Sequence, residues 1–460
     1  MRLKHCTVLL VSVCCSQLAT AQAVLEEVIV TAQKREQGLQ DVPIAVQVFS
    51  TQRIDQLAAR DIGDLDYFTP NVEIPRGSNQ PTYKIRGIGT SDFGVGADPA
   101  VGVYMDGVYI GRSGGSKVAF NDIERIEILN GPQGTLFGRN AAAGAIQYIT
   151  NKPNDNHEGW VRATAGEYDR VHVEGVYNLP ITDQLFWRTG ALYNERDGYV
   201  DNNFTGEDHQ YQKNWSLTSA LRWQPSKNLD VIWRLDYDEI DQDSKAVTSA
   251  IYGPGQGGGA DFDETTTNRR LDETRELFGT SLHLTYEMAG ATFTSITSYR
   301  EYETENPENQ DGWIDPEFEF NDFNAEDNEQ WSQEFRFNGD WGEQVIWTVG
   351  GSYHEETAKQ TSGIILNPIA VDRLVVEREV GIPYGLVEPG FGYEIAWAVA
   401  FPDLDRIYNT GAEALLAADY SEYINVEGDY TSWLLGGIRR LYLRRYRNPV
   451  GNSGGALHRG

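Results

Sequence analysis

The chain has 460 residues, with 47 Gly, 24 Tyr, 11 Trp and only 3 Met, and its mean hydropathy is -0.47. It contains no apolar run of about 18 residues, which excludes a membrane-spanning helix and leaves the β-barrel as the one way such a chain crosses a bilayer, because barrel strands alternate apolar and polar positions. A net charge of -30 argues against nucleic acid as a partner.

In chain order, Arg2 and Lys4 precede an apolar stretch over residues 8–15, and Ala19-Thr20-Ala21 supplies the small residues of a cleavage site. Residues 1–21 read as a secretory signal peptide removed before Gln22. A lipoprotein reading is weaker, because Val13 and Cys14, rather than a small residue, precede Cys14 and Cys15. All 3 cysteines, Cys6, Cys14 and Cys15, lie inside that signal, so the exported chain is expected to form no disulfide. The next stretch, "EEVIVTAQKRE", sets Val28-Ile29-Val30-Thr31 between charged flanks with no partner strand in sight. Such a run suits a visiting strand.

Residues 41–153 mix strand-like and helix-like pieces. "DVPIAVQVFS" alternates, Thr51 is expected to cap a helix over 52–60, and residues 61–66 suggest a second helix. Tyr104, Asp106 and Gly107 read as a strand entering a turn. "GPQGTLFGRN" lacks the Lys and hydroxyl of a phosphate loop, and "RGIGTSD" has Asp92 where a dinucleotide fingerprint needs its third glycine. Their glycines are assigned to tight turns and close backbone packing.

Beyond residue 153 the period becomes two. In "NWSLTSALRWQ", Trp215, Leu217, Leu221 and Trp223 share one face, and in the next segment Leu229, Val231, Trp233, Leu235 and Tyr237 alternate with Asp230, Ile232, Arg234, Asp236 and Asp238. Strands are expected at 159–166, 170–179, 185–197, 212–224, 229–240, 277–287, 291–302, 328–338, 344–356 and 430–436. A soluble sandwich accounts for the alternation as well as a barrel does. Loop lengths decide between them, because short connections at 180–184, 225–228, 288–290 and 339–343 alternate with long ones at 198–211, 241–276, 303–327 and 357–429, as periplasmic turns and external loops do. The short connection at 167–169 is one exception.

No catalytic, metal or cofactor site is legible. "GNSGG" (451–455) has no helix-forming segment behind it, and the 7 histidines lack ligand spacing. Residues 301–333 carry many carboxylates and no Lys or Arg, a solvated surface or a cation-binding face beside lipopolysaccharide. The last acid is Asp429. After it come Arg439, Arg440, Arg444, Arg445, Arg447 and Arg459, and alternation ends, so 437–460 reads as an aberrant basic tail.

Four stretches carry a family resemblance: "EEVIVTA" (26–32), "KIRGIG" (84–89), "VGVYMDGVYIG" (101–111) and "NDIERIEILNGPQGTLFGRNAAAGAIQYITNKP" (121–153). The chain resembles the TonB-dependent receptors of Gram-negative outer membranes, departing at Asn130, usually basic, and Ala143, commonly glycine. The resemblance implies an α+β plug domain (41–153) followed by an antiparallel transmembrane β-barrel (154–436), with about ten strands present where the family has about 22. Residues 22–40 become the TonB box and linker, with Glu27, Val28, Ile29, Val30, Thr31 and Ala32 adding as a strand to TonB. Arg86, Gly87, Asp106, Gly107, Gly131, Gly134, Gly138 and Arg139 form the plug's structural motif, and Ser78, Asn79, Tyr83, Ser91, Asp92 and Phe93 are expected to contact ligand.

The implied function is active uptake of a scarce solute, a ferric siderophore foremost, through a plug-gated barrel in the outer membrane. The implied partners are TonB with its energising complex, an iron chelate, and outer-membrane lipid and lipopolysaccharide. The implied chain is not an enzyme and needs no cofactor. Too few strands and a tail without the terminal aromatic residue suggest instead a truncated or frame-shifted fragment that binds TonB without transporting.

Overall fold

A computed structural model describes residues 28–74, 80–90, 94, 96–247, 264–265, 267, 270–310, 312, 320–341, 345–366, 420–433 and 436–447. The chain divides into two compact units, Met1–Val46 and Gln47–Gly460. In the first unit, β1 (Ile29–Val30) pairs antiparallel with β2 (Gln37–Gly38), Ile29 opposite Gly38 and Val30 opposite Gln37. A partner strand therefore does follow. Lys34, at φ 60°, donates its N–H to Thr31 O at 2.8 Å and turns the chain, so the charged connection closes a small hairpin.

β3 (Ala45–Ser50) leads into α1 (Thr51–Leu57). The helix cap is Ser50, whose hydroxyl accepts from Arg53 N at 3.4 Å, and not Thr51. Thr51 instead donates its hydroxyl to Ile123 O at 2.8 Å and Glu124 O at 2.9 Å, a tertiary anchor that outcompetes the local cap. The helix stops at Leu57, short of the expected Arg60, where Ala58 turns left-handed at φ 51°. Asp61 caps the second predicted helix, which is a 3-10 turn over Ile62–Phe68.

The strands β4 (Val72–Glu73), β5 (Lys84–Ile85) and β6 (Ile88–Gly89) form a small sheet. Next come β7 (Val101–Met105), β8 (Val108–Ile110), β9 (Ile123–Asn130) and β10 (Gly144–Thr150), with the short helix α2 (Gly134–Phe137) between the last two. They form a sheet ordered β3-β9-β10-β7-β8, in which β10 runs parallel to β7 and antiparallel to β9. Its apolar side chains, Val103, Ile126, Ile128, Ile146 and Tyr148, bury against Leu65 and Ile85 and make the core of a small α+β domain.

Gly144 is a close-approach glycine in this sheet. A Cβ there would stand 2.3 Å from Leu129 O and 2.6 Å from Ile85 Cδ1. Gly144→Ala is expected to cost about 1–3 kcal/mol, the range of core overpacking, read as earlier proteolysis of residues 41–153 in a denaturant series. Ala143 needs no glycine, because its φ is not positive; its N–H reaches Ala100 O and its carbonyl accepts from Gly131 N, both at 2.9 Å.

The remaining strands are β11 (Glu158–Ala165), β12 (Val171–Thr182), β13 (Leu185–Arg196), β14 (Val200–Asn202), β15 (Asp208–His209), β16 (Gln212–Ser226), β17 (Leu229–Asp243), β18 (Glu264–Thr265), β19 (Asp272–Met288), β20 (Ala291–Asn309), β21 (Phe320–Trp341), β22 (Val345–Leu366), β23 (Tyr420–Trp433) and β24 (Gly436–Arg447). Eleven form one sheet ordered β11-β12-β13-β16-β17-β19-β20-β21-β22-β23-β24, while β14, β15 and β18 make a separate patch within two long connections. Two-residue turns at 183–184, 227–228 and 289–290 lie at one end, and the long connections at the other. The connection after β11 stays short.

Three expectations need correction. Pro180 lies within β12 and not in the turn after it. The acid-rich run expected as a loop at 303–327 is largely strand, because β20 and β21 continue to 19 and 22 residues with alternation intact. At about 3.3 Å per residue such strands outreach a hydrocarbon layer of about 30 Å even when tilted. Residues 437–447, read as part of a basic tail, belong to β24, which pairs with β23 from Trp433 opposite Gly436 to Glu422 opposite Arg447. Backbone pairing continues where the side-chain pattern fades.

The two faces of the large sheet are inverted relative to a soluble sandwich. Val161, Val173, Trp215, Trp233, Phe335 and Val349 are exposed, Val161 to 79%. Arg188, Arg234, Asp238, Arg275, Arg300 and Glu356 are buried. An apolar outside and a polar inside suit hydrocarbon on one side and a packed lumen on the other.

Candidate functional site

The buried face of the large sheet meets the small domain through charges. Between β7 and β8, Asp106 (φ 49°) and Gly107 (φ 86°) make a tight turn, as the sequence implied. The Asp106 carboxylate accepts from Thr150 N at 3.0 Å and Thr150 Oγ1 at 2.8 Å, and lies 3.5 Å from Arg234 Nε on β17. Arg188 on β13 grips Asp122 with two bonds of 2.6 and 2.7 Å, and Asn121 donates to Gly190 O at 3.2 Å and Ser216 O at 3.3 Å. Arg275 pairs with Asp238 and donates to Gly114 O at 3.2 Å.

Farther along the same seam, Arg112 Nε donates to Glu356 Oε1 at 2.8 Å, while Arg112 Nη1 reaches Ala97 O at 3.1 Å. Burial works against the Arg112 charge, but Glu356 beside it more than compensates and holds the guanidinium above its ordinary value. Gly111 N donates to Gln330 Oε1 at 2.9 Å. Pairs of this kind add little net stability but define one seating of the small domain, since removing either partner strands a buried charge.

Beside Arg112 a cleft opens, lined by Tyr83, Thr90, Ala97, Arg112, Ser113 and Glu326 among others. Tyr83 is the one expected ligand contact among the described residues. Its hydroxyl lies 3.1 Å from Ser116 Oγ, and burial pushes its ionisation up, keeping it neutral. Ser78, Asn79, Ser91, Asp92 and Phe93 lie outside the described residues, as does Glu27.

The other singled-out positions scatter. Arg86, at φ 54°, and Gly87, at φ 77°, form the exposed turn between β5 and β6, Gly131 and Gly138 also have positive φ, and Gly134 opens α2. Arg139 pairs with Asp98 at 2.7 Å. In the first unit Val28 and Ile29 are exposed, Val30 and Ala32 are buried, and the Thr31 carbonyl closes the hairpin turn.

The residues missed by sequence reading are Arg112, Asn121, Asp122, Glu326 and Glu356. Arg112 directly follows the stretch 101–111, and the polar strand face already named Arg234. Nothing in a single sequence pairs positions more than 200 apart. Among the described residues no group of three or more His, Cys, Asp or Glu is placed to hold a metal ion, and no helix is long and apolar enough to cross a membrane.

Residues 38–145 match the family model described as the TonB-dependent receptor plug domain. The pesticin receptor of Yersinia enterocolitica is 29% identical over 189 residues, 40% of this chain and 27% of that protein. The vitamin B12 transporter of Vibrio vulnificus is 28% identical over 238 residues, 48% of this chain and 37% of that protein. The solved ferric yersiniabactin uptake receptor of Yersinia pestis superposes with a TM-score of 0.57 at 15% identity, covering 88% of this chain and 60% of its own. The match thus spans 27% and 37% of those two curated relatives and 60% of the solved receptor.

Proposed function

We propose that this chain, which belongs to the TonB-dependent receptors and carries their plug domain and the N-terminal part of their antiparallel barrel, serves active uptake of a scarce solute across an outer membrane. The supporting observation is the seam: a polar strand face neutralised by Arg188–Asp122, Arg234–Asp106 and Arg112–Glu356, with an apolar face turned outward. A domain held by charges inside such a wall blocks passage and can be loosened without unfolding the wall.

In this reading solute enters beside Tyr83, and Ser78, Asn79, Ser91, Asp92 and Phe93 supply further contacts. TonB adds to Glu27–Ala32 as a strand and pulls, drawing on the inner-membrane proton gradient. Lipid and lipopolysaccharide cover the outer face. A ferric siderophore is the substrate class taken, and relatives named for pesticin and vitamin B12 mark the breadth of what the scaffold admits. The chain has no enzymatic role.

One observation favours a second reading, a fragment that binds TonB without transporting. The described sheet runs from β11 to β24 without those two strands pairing, and each open backbone group in hydrocarbon costs several kcal/mol. Outer membranes from cells expressing the 460-residue chain alone separate the two on an unboiled gel. Uptake requires a fast-migrating, protease-resistant band together with iron-chelate accumulation. Loss of that band, with TonB still captured by the chain, leaves the fragment.

A further inference from the structure

Among the described residues several acids along the seam face a basic partner, and Glu326 in the cleft does not. Glu356 has Arg112, Asp122 has Arg188, Asp236 has Arg300 at 2.9 Å and Asp238 has Arg275. Glu326, only 6% exposed and lining the cleft, has no ion-pair partner among the described residues. Its carboxylate accepts from the Tyr302 hydroxyl at 2.8 Å, Asn324 Nδ2 at 3.1 Å and Gln360 Nε2 at 3.4 Å. These are neutral donors. They fix the carboxylate's orientation and ease its burial without cancelling its charge, and a buried charge without a counter-ion is costly.

The lining does not supply the missing cation. Arg112 is its one basic residue among those described, and that single guanidinium, hydrogen-bonded to Glu356, serves both Glu356 and Glu326. Among the described residues, Glu326 and Glu356 set two carboxylates against the one guanidinium of Arg112. A second observation points the same way: residues 301–333, which include the end of β20 and much of β21, contain no Lys or Arg. Their field draws cations toward the site and repels anions.

Resting on the uptake reading, we propose that Glu326 is a specificity-determining residue that selects solutes bearing a positively charged nitrogen group, an ammonium seated against its carboxylate, over polyanionic chelates. The counter-ion that the described residues do not offer arrives with the cargo.

Three ferric probes test this on the full 460-residue chain folded in detergent: a trihydroxamate with a pendant ammonium, the same chelate N-acetylated, and a trianionic tris-catecholate. The wild-type chain is expected to bind the ammonium probe about tenfold more tightly than its acetylated counterpart and the tris-catecholate more weakly still, with the preference shrinking as salt rises. Glu326→Gln, nearly isosteric, is expected to erase the preference, while Tyr302→Phe, which keeps the charge, retains it. Equal binding of the first two probes by the wild type, or a preference that survives Glu326→Gln, overturns the role of Glu326 and leaves the uptake reading standing. Binding of none of the three overturns the iron-chelate reading, and this inference with it.

Discussion

Glu356→Ala is expected to destabilise the seating of the plug by about 3–5 kcal/mol, the cost of stripping one partner from a buried ion pair. Glu356 is 1% exposed, and it accepts from Arg112 Nε at 2.8 Å, Arg112 Nη2 at 3.4 Å and Asn328 Nδ2 at 2.9 Å. Arginine cannot shed its proton to escape, so the variant keeps a buried cation without the carboxylate that two of its N–H groups reach. Glu356→Gln retains shape and one acceptor oxygen and is expected to fall between wild type and alanine. Replacing both partners together, Arg112→Met with Glu356→Leu, is expected to recover most of the loss, because two apolar groups leave no charge stranded. Urea-dependent proteolysis of residues 41–153 reads all four proteins. Should Glu356→Ala resist protease as the wild type does, the ion pair does not hold the plug.

The parts legible in the sequence are those written as local pattern. Leu229 to Asp238 fixed a strand with one apolar and one charged face because side chains alternate whatever lies across from them. That alternation could not say which face is buried. Trp233 and Arg234 look alike in a sandwich and in a barrel, and only packing against Asp106 settles that Arg234 points inward. Strand ends were misplaced where composition misled: Glu303 and Glu305 read as loop because they are acidic, yet they are the exposed positions of β20 between buried Thr304 and Asn306. The partner of Ile29-Val30 was missed because Gln37-Gly38 has no β-forming signature, and two residue pairs suffice to make the ladder. The cleft was the least legible feature. Glu326 on β21 and Arg112 after β8 meet through the fold, and each looks like an ordinary surface charge when read alone.

Val30→Pro is expected to reduce energised uptake at least about tenfold, to the level of cells lacking TonB, while leaving solute binding by unenergised cells unchanged. Strand addition exchanges backbone N–H and C=O groups with the partner, and proline removes the donor at the centre of the run. The hairpin that now occupies those groups is small: Ile29 faces Gly38, Val30 faces Gln37, and Leu39 N donates to Val28 O at 2.8 Å. At about 0.5–1.5 kcal/mol net per hydrogen bond, opening it costs a few kcal/mol, which a longer ladder with a partner strand returns. The burial of Val30 and Ala32 adds to that cost and keeps the run from pairing indiscriminately. Val30→Thr, which keeps the backbone donor and the β-branch, is expected to transport normally, so the pair of variants separates a backbone role from a side-chain one. Normal uptake by Val30→Pro would mean that the energising partner engages the chain elsewhere.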